Sequence, residues 1–224
     1  MRAAVVVSVL AVAFSLVANL LVGEAGYVLR NLAAAMVLLL WARRAGLRRG
    51  ELGFGAGTVR RGVVWGLGVS AVVAAVLIAG VVLADVVPGV DGLLGDARAD
   101  LDGAELAYAT LVRIPLGTAF FEEVVFRGVL LALYVRWLGV RAGVLASAGV
   151  FGLWHVAPAL VALEVNDVAA ASSAGVAAVV AAVLVTAFAG VLFAWLRHAS
   201  GSLWAPVLAH WAMNSLGLVA AAVT

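Results

Sequence analysis

Seven apolar runs occupy most of this chain, at residues 3–22, 26–41, 62–84, 106–135, 142–163, 174–196 and 202–222, separated by short polar connections. A membrane-crossing helix needs about 20 largely apolar residues, so runs of this kind are suited to hydrocarbon. They are continuous and rich in Ala, Val and Leu. That argues against a transmembrane β-barrel, whose strands alternate over about ten residues. The pattern predicts an all-α, polytopic transmembrane helical bundle of about seven spans, with eight as the alternative. With 66% of residues hydrophobic and 12% charged, little is left for an aqueous domain. The first run carries about 20 apolar residues, more than the 7–15 of a signal-peptide core, and is read as a retained span. Cysteine is absent, which excludes disulfides, thiol catalysis and cysteine-ligated metal sites.

The charges alternate from loop to loop. Arg2, Arg43, Arg44, Arg48, Arg49, Arg60, Arg61, Arg136, Arg141 and Arg197 fall on one side, and Glu24, Asp91, Asp96, Asp100, Asp102, Glu105, Glu164 and Asp167 on the other. Arginine near span ends favours the cytoplasm, so the N-terminus and the loop at 43–61 are expected inside and the C-terminus outside. The arginine loop is read as a topology determinant in preference to a lipid-headgroup or RNA-binding patch. The net charge of +2 carries no nucleic-acid footprint, and none is expected as a partner. The bilayer itself is the expected environment.

Ionisable side chains inside spans cost about 2.5–3.5 kcal/mol each on insertion scales and mark sites or pathways. Three strings carry them here: Glu122-Glu123-Val-Val-Phe-Arg127, Phe151-Gly-Leu-Trp-His155 and His210-Trp-Ala-Met-Asn214. Glu122 lies 14 residues from Arg136, His155 14 from Arg141 and His210 13 from Arg197. At about 1.5 Å per residue, all three sit roughly 20 Å in from their anchors, at one level, with residues 198–201 read as a turn. Glu123 and Arg127, four apart, share a helix face and can pair. Glu122 is turned about 100° away and has no intrahelical counter-charge, which makes it the better general base. His210 and Asn214 share a stripe and offer two donors to an oxyanion.

Other polar or aromatic residues have plainer readings. His198 is expected at the interface. Trp154, Trp204 and Trp211 are read as packing or interfacial residues, and Gly175 and Gly190 as sites of close helix packing. Arg30 with Asn31, Arg113 and the Pro115 kink are candidates to line a polar cavity, although snorkelling or local packing suffices for each.

In this order, Glu-Glu-x-x-x-Arg, Phe-x-x-x-His and Ser-Leu-Trp-Ala-Pro leading into His-x-x-x-Asn resemble the motifs of the CPBP intramembrane proteases, which include the type II CAAX prenyl endopeptidases. Glu51-Leu-Gly-Phe54 is similar to a further feature of that family. The resemblance covers residues 104–224 and implies a four-span catalytic core there, preceded by a three-span region at 1–103. It implies hydrolysis of a peptide bond within the membrane, in a peptide or membrane-protein substrate, prenylated or not. Glu122 and His155 would activate water, His210 and Asn214 would stabilise the oxyanion, and Glu123, Arg127 and Phe151 would support them. No cofactor is expected. Zinc held by Glu122, His155 and His210 is the alternative, disfavoured because no His-Glu-x-x-His helix and no carboxylate behind a histidine is visible. A non-catalytic membrane scaffold or immunity protein and a proton-coupled transporter remain the other classes.

Overall fold

The computed structural model describes residues 1–24, 26–84, 86–87 and 95–224; Asp91 of the acidic loop lies outside them. Among the described residues the chain is an all-helical membrane-type bundle with no strand. Its helices are α1 (Arg2–Val22), α2 (Tyr27–Arg44), α3 (Thr58–Ala84), α4 (residues 103–138), α5 (Val140–Val165), α6 (Ser173–Ser200) and α7 (Trp204–Val223). Each matches one of the apolar runs. Helices α1, α3, α5, α6 and α7 are long and apolar enough to cross a membrane. Helix α6 continues through Ser200 and takes Arg197 and His198 into its last turn, where a turn was expected from residue 198.

Helix α4 is the centre of the bundle: every residue from 121 to 132 is buried. It is not a uniform α-helix. Ala109–Phe120 and Val124–Leu130 are wound as π-helix, with i→i+5 hydrogen bonding, around a single α-turn at Phe121–Glu123. Pro115 lies in the first π segment and has no N–H to offer, so the Thr110 carbonyl five residues back needs another donor. It receives two, from Trp211 Nε1 at 2.7 Å and Ser215 Oγ at 3.1 Å on α7. Asn31 of α2 donates to the Gly117 carbonyl and Ser147 of α5 to that of Phe126, each at 2.8 Å. The irregular winding is thus satisfied from three neighbouring helices, as a low-dielectric surrounding requires.

Helix α1 packs directly on this core. Ser8 Oγ lies 2.8 Å from Tyr134 Oη, Ser15 Oγ donates to the Trp154 carbonyl at 2.7 Å, and Phe14 stacks on the Trp154 ring. Helix α3 approaches α7 closely at Gly62 and Gly66. A Cβ at those positions would fall 2.3 Å from Ser202 Oγ and 2.8 Å from Leu208 Cβ. Gly190 plays the same part between α6 and α5, against Ala148. Gly175 does not: the atoms nearest a Cβ there belong to Ala169 and Ala170, in the turn that starts its own helix.

The arginine-rich connection between α2 and α3 is folded rather than merely charged. Leu47 and Leu52 are fully buried, and Arg197 donates to the carbonyls of Gly50 at 2.8 Å and Glu51 at 3.1 Å. Glu51 pairs with Arg136. The Gly53 carbonyl receives the Leu203 N–H at 2.9 Å just before α7 begins. Gly53 has φ +90°, and a Cβ there would meet Arg197 Nε at 2.5 Å, so both the turn and the space demand glycine. The Glu51-Leu-Gly-Phe54 string therefore seats the start of the helix that carries His210.

Candidate active site

Three helices bring their polar residues to one point, as the depth counts predict. Glu122 on the α-turn of α4, His155 at the break in α5 and His210 on α7 converge, with Nε2 of each histidine 3.9 Å from Glu122 Oε2. Glu122 and His210 are buried and His155 is partly exposed. The other Glu122 oxygen, Oε1, accepts a hydrogen bond from Trp154 Nε1 at 3.2 Å. Oε2 is buried and has no hydrogen-bond partner among the described residues.

The orientation of both rings follows from their other nitrogens. His155 Nδ1 lies 2.7 Å from the Phe151 carbonyl, which can only accept, so Nδ1 carries the proton. His210 Nδ1 lies 2.9 Å from Glu123 Oε1, which also accepts from Arg127 Nη1 at 2.9 Å. Because Oε1 already acts as acceptor for Arg127, His210 Nδ1 donates to it as well. In its neutral form, each imidazole so anchored turns the lone pair of Nε2 towards Glu122 Oε2. Three acceptors then face one another at distances too long for direct hydrogen bonds. A water molecule can donate to two of them and approach the third.

Glu123, Arg127 and His210 form a continuous buried chain behind this centre. The Glu123–Arg127 pair has the i, i+4 spacing expected of it, with both side chains essentially inaccessible. The Arg127 guanidinium lies over Phe151, 3.9 Å from the ring centre, with Phe193 at 5.0 Å. Phe193 in turn stacks on His210 with centroids 5.1 Å apart, and Phe151 meets His155 edge-on at 4.5 Å. Phe151 thus supplies a carbonyl to His155 and an aromatic face to Arg127. Asn214, four residues beyond His210, is half-buried and makes no side-chain hydrogen bond to a described residue.

The geometry revises two expectations. A carboxylate does stand behind a histidine: Glu123 holds His210, a pairing between helices that spacing along one helix cannot reveal. Trp154, read as a packing residue, donates to Glu122, and no periodicity signals it because its partner lies on another helix. Phe193, in an Ala- and Val-rich run, carries no signal of its contact with His210, which again crosses between helices. Arg30 donates to Asn31 and to the Ala18 and Gly23 carbonyls, Asn31 to Gly117 and Arg113 to Glu24, none of them to the centre, as local packing predicts. His198 is exposed at its span end.

Two neutral imidazoles and a carboxylate are also a chemically suitable donor set for zinc, and both Nδ1 anchors are of the kind that orients metal ligands. Ligands at 2.0–2.1 Å around one tetrahedral ion stand about 3.4 Å apart, closer than the 3.9 Å found for both rings. Among the described residues no group of three is closed around a metal position.

No curated protein and no solved structure gives a significant match to this chain. A family model does match, over residues 104–216, which span α4 to most of α7 and contain all the residues of the centre; it describes the type II CAAX prenyl endopeptidase Rce1-like proteins. The chain, a multi-pass membrane protein, belongs to the type II CAAX prenyl endopeptidase Rce1-like family.

Proposed function

We propose that this family member is an intramembrane endopeptidase in which Glu122 is the general base and no metal is required. The observation that carries the reading is the buried, unpartnered Glu122 Oε2, equidistant from the two Nε2 atoms of histidines whose other nitrogens are already engaged. A water shared by these atoms gives up a proton to Glu122 as it attacks the scissile carbonyl. Glu122 later returns that proton to the leaving amine. His155 orients the water. His210 is the oxyanion donor once it has taken a second proton, at Nε2, from solvent before the attack, and it returns that proton on product release; Glu123 on Nδ1, itself paired with Arg127, stabilises the imidazolium. Asn214 would add a second donor once substrate is bound. The substrate is a peptide or membrane protein that delivers its scissile bond to this depth, with or without a prenyl group.

Membranes carrying intact protein or Glu122→Gln should differ in cleaved neo-termini. The variant should keep its melting temperature and lose at least about 100-fold in turnover. Near-normal cleavage by Glu122→Gln, with Glu123→Gln inactive but folded, would mean the two carboxylates have exchanged roles.

The anchored Nδ1 atoms favour one second reading, zinc held by Glu122, His155 and His210, where it would supply Lewis-acid activation of water. Metal analysis of purified protein separates the two. Metal well below one per chain, with cleavage that survives prolonged exposure to phenanthroline, supports the glutamate mechanism. One zinc per chain, lost and restored together with activity, supports the metal.

A further inference from the structure

The six arginines at and between the facing ends of α2 and α3 do not share one fate. Arg43 turns back onto the Leu47 carbonyl at 2.7 Å, and Arg44, Arg48 and Arg49 are exposed on the loop surface. Arg60 and Arg61, in the first turns of α3, line a cavity of about 300 Å³ together with Gly57, Val64 and Trp65. Arg61 Nη2 donates to the Ala199 carbonyl at the end of α6, which ties the two helices together and leaves its other N–H groups for a ligand. Arg60 makes no hydrogen bond or ion pair to any described residue.

Helical spacing sorts this region into stripes. Gly62 and Gly66 face α7, which turns Arg61 with Trp65 onto the adjoining stripe and Arg60 with Val64 onto the one beyond it, away from α7. Each stripe has a guanidinium at the end and an apolar side chain one turn further in. Trp65 meets Trp195 of α6 edge-on at 5.8 Å, and Val59, Val64 and Leu67 are exposed. Trp41, Trp137 and Trp195 are exposed as well, each within a few residues of an arginine at this end of the bundle, the level at which tryptophans mark the membrane interface. The cavity is therefore cationic at headgroup height and lies on the first turns of α3, beside the contacts of Arg61 with Ala199 and of Trp65 with Trp195 on α6. Among the described residues no acidic side chain lines it to meet the ammonium of a zwitterionic lipid.

We propose that Arg60 and Arg61 bind the phosphodiester headgroup of one anionic phospholipid, whose acyl chains lie along the α3–α6 seam past Val64 and Trp65. The site is independent of the hydrolytic centre and of the reading given to it.

The test uses the full chain in vesicles of phosphatidylcholine and phosphatidylglycerol at about four to one, released gently and weighed by native mass spectrometry. Wild type should retain one phosphatidylglycerol well above its share of the bilayer. Arg60→Gln with Arg61→Gln should lower that retention by about 25-fold, from about fivefold per arginine lost at a lipid surface. Arg60→Lys with Arg61→Lys should keep most of it. Arg44→Gln with Arg49→Gln, which removes the same charge from the exposed loop, should leave it unchanged. If the first double variant fails to fold because Ala199 loses its cap, Arg60→Gln alone should still show its fivefold loss. Retention no better than the bilayer share, or equal losses in both pairs, overturns the proposal. So does displacement of the lipid by inorganic phosphate, which would make the cavity a soluble-anion site.

Discussion

Truncating Arg127 to alanine strikes the chain of charges behind the active centre and should cost far more than one hydrogen bond. The guanidinium is 1% exposed and its partner Glu123 0%. Its loss leaves a carboxylate in a dry interior with, among the described residues, only His210 Nδ1 against Oε1 and no partner for Oε2. Breaking a buried pair from one side costs about 3–5 kcal/mol. The cation–π contact with Phe151, with the guanidinium 3.9 Å from the ring centre, adds up to about 2 kcal/mol, though the two losses are not additive. At roughly 2–4 °C per kcal/mol for a chain of this size, melting should fall by about 6–20 °C in detergent, followed by intrinsic tryptophan fluorescence. Adding Glu123→Gln removes the orphaned charge, so the double variant should recover part of that loss and be more stable than Arg127→Ala alone. Cleavage should stay low in both: the single variant lacks the guanidinium that holds Glu123 in place behind His210, and the double variant has also lost the carboxylate that orients the ring. An Arg127→Ala protein that melts like wild type, or a double variant no better than the single one, would refute the claim that the pair carries a buried charge.

Trp154→Phe keeps the ring against Phe14 but removes the N–H donated to Glu122 Oε1; turnover should drop about tenfold at nearly unchanged KM and melting temperature, and an unchanged turnover would make the indole a packing residue only. Glu51, outside the spans, has its carboxyl held below the usual range, chiefly by the Arg136 hydrogen bond. A depressed folded pKa contributes stability that is present above the ordinary glutamate value and is lost as pH falls through the lowered one. The small gap in melting temperature between wild type and Arg136→Gln should therefore be constant from about pH 6 to 8 and close only below about pH 4. From the alternation of charge, reporter fusions at loop 43–61 should read cytoplasmic and those at Thr224 outside; a cytoplasmic Thr224 would overturn the seven-span orientation.

Most of the bundle is legible in the chain because hydrocarbon permits so few solutions. Once a run of about 20 apolar residues must satisfy its own backbone, helix is the answer, and the helices follow the runs. Counting from arginine anchors also brings Glu122, His155 and His210 to one level, since rise per residue along a helix is nearly constant. The same holds for the phase between Glu122 and Glu123, because both lie on the one α-turn between two π segments. What lies between helices is decided elsewhere. The π winding of α4 depends on donors from α2, α5 and α7, and the hold of Glu123 on His210 and of Trp154 on Glu122 depends on how those helices are rotated against α4. Spacing fixes the direction of a side chain about its own axis only. Which nitrogen meets which carboxylate is set by the packing of axes against one another, and that information exists only in the folded bundle.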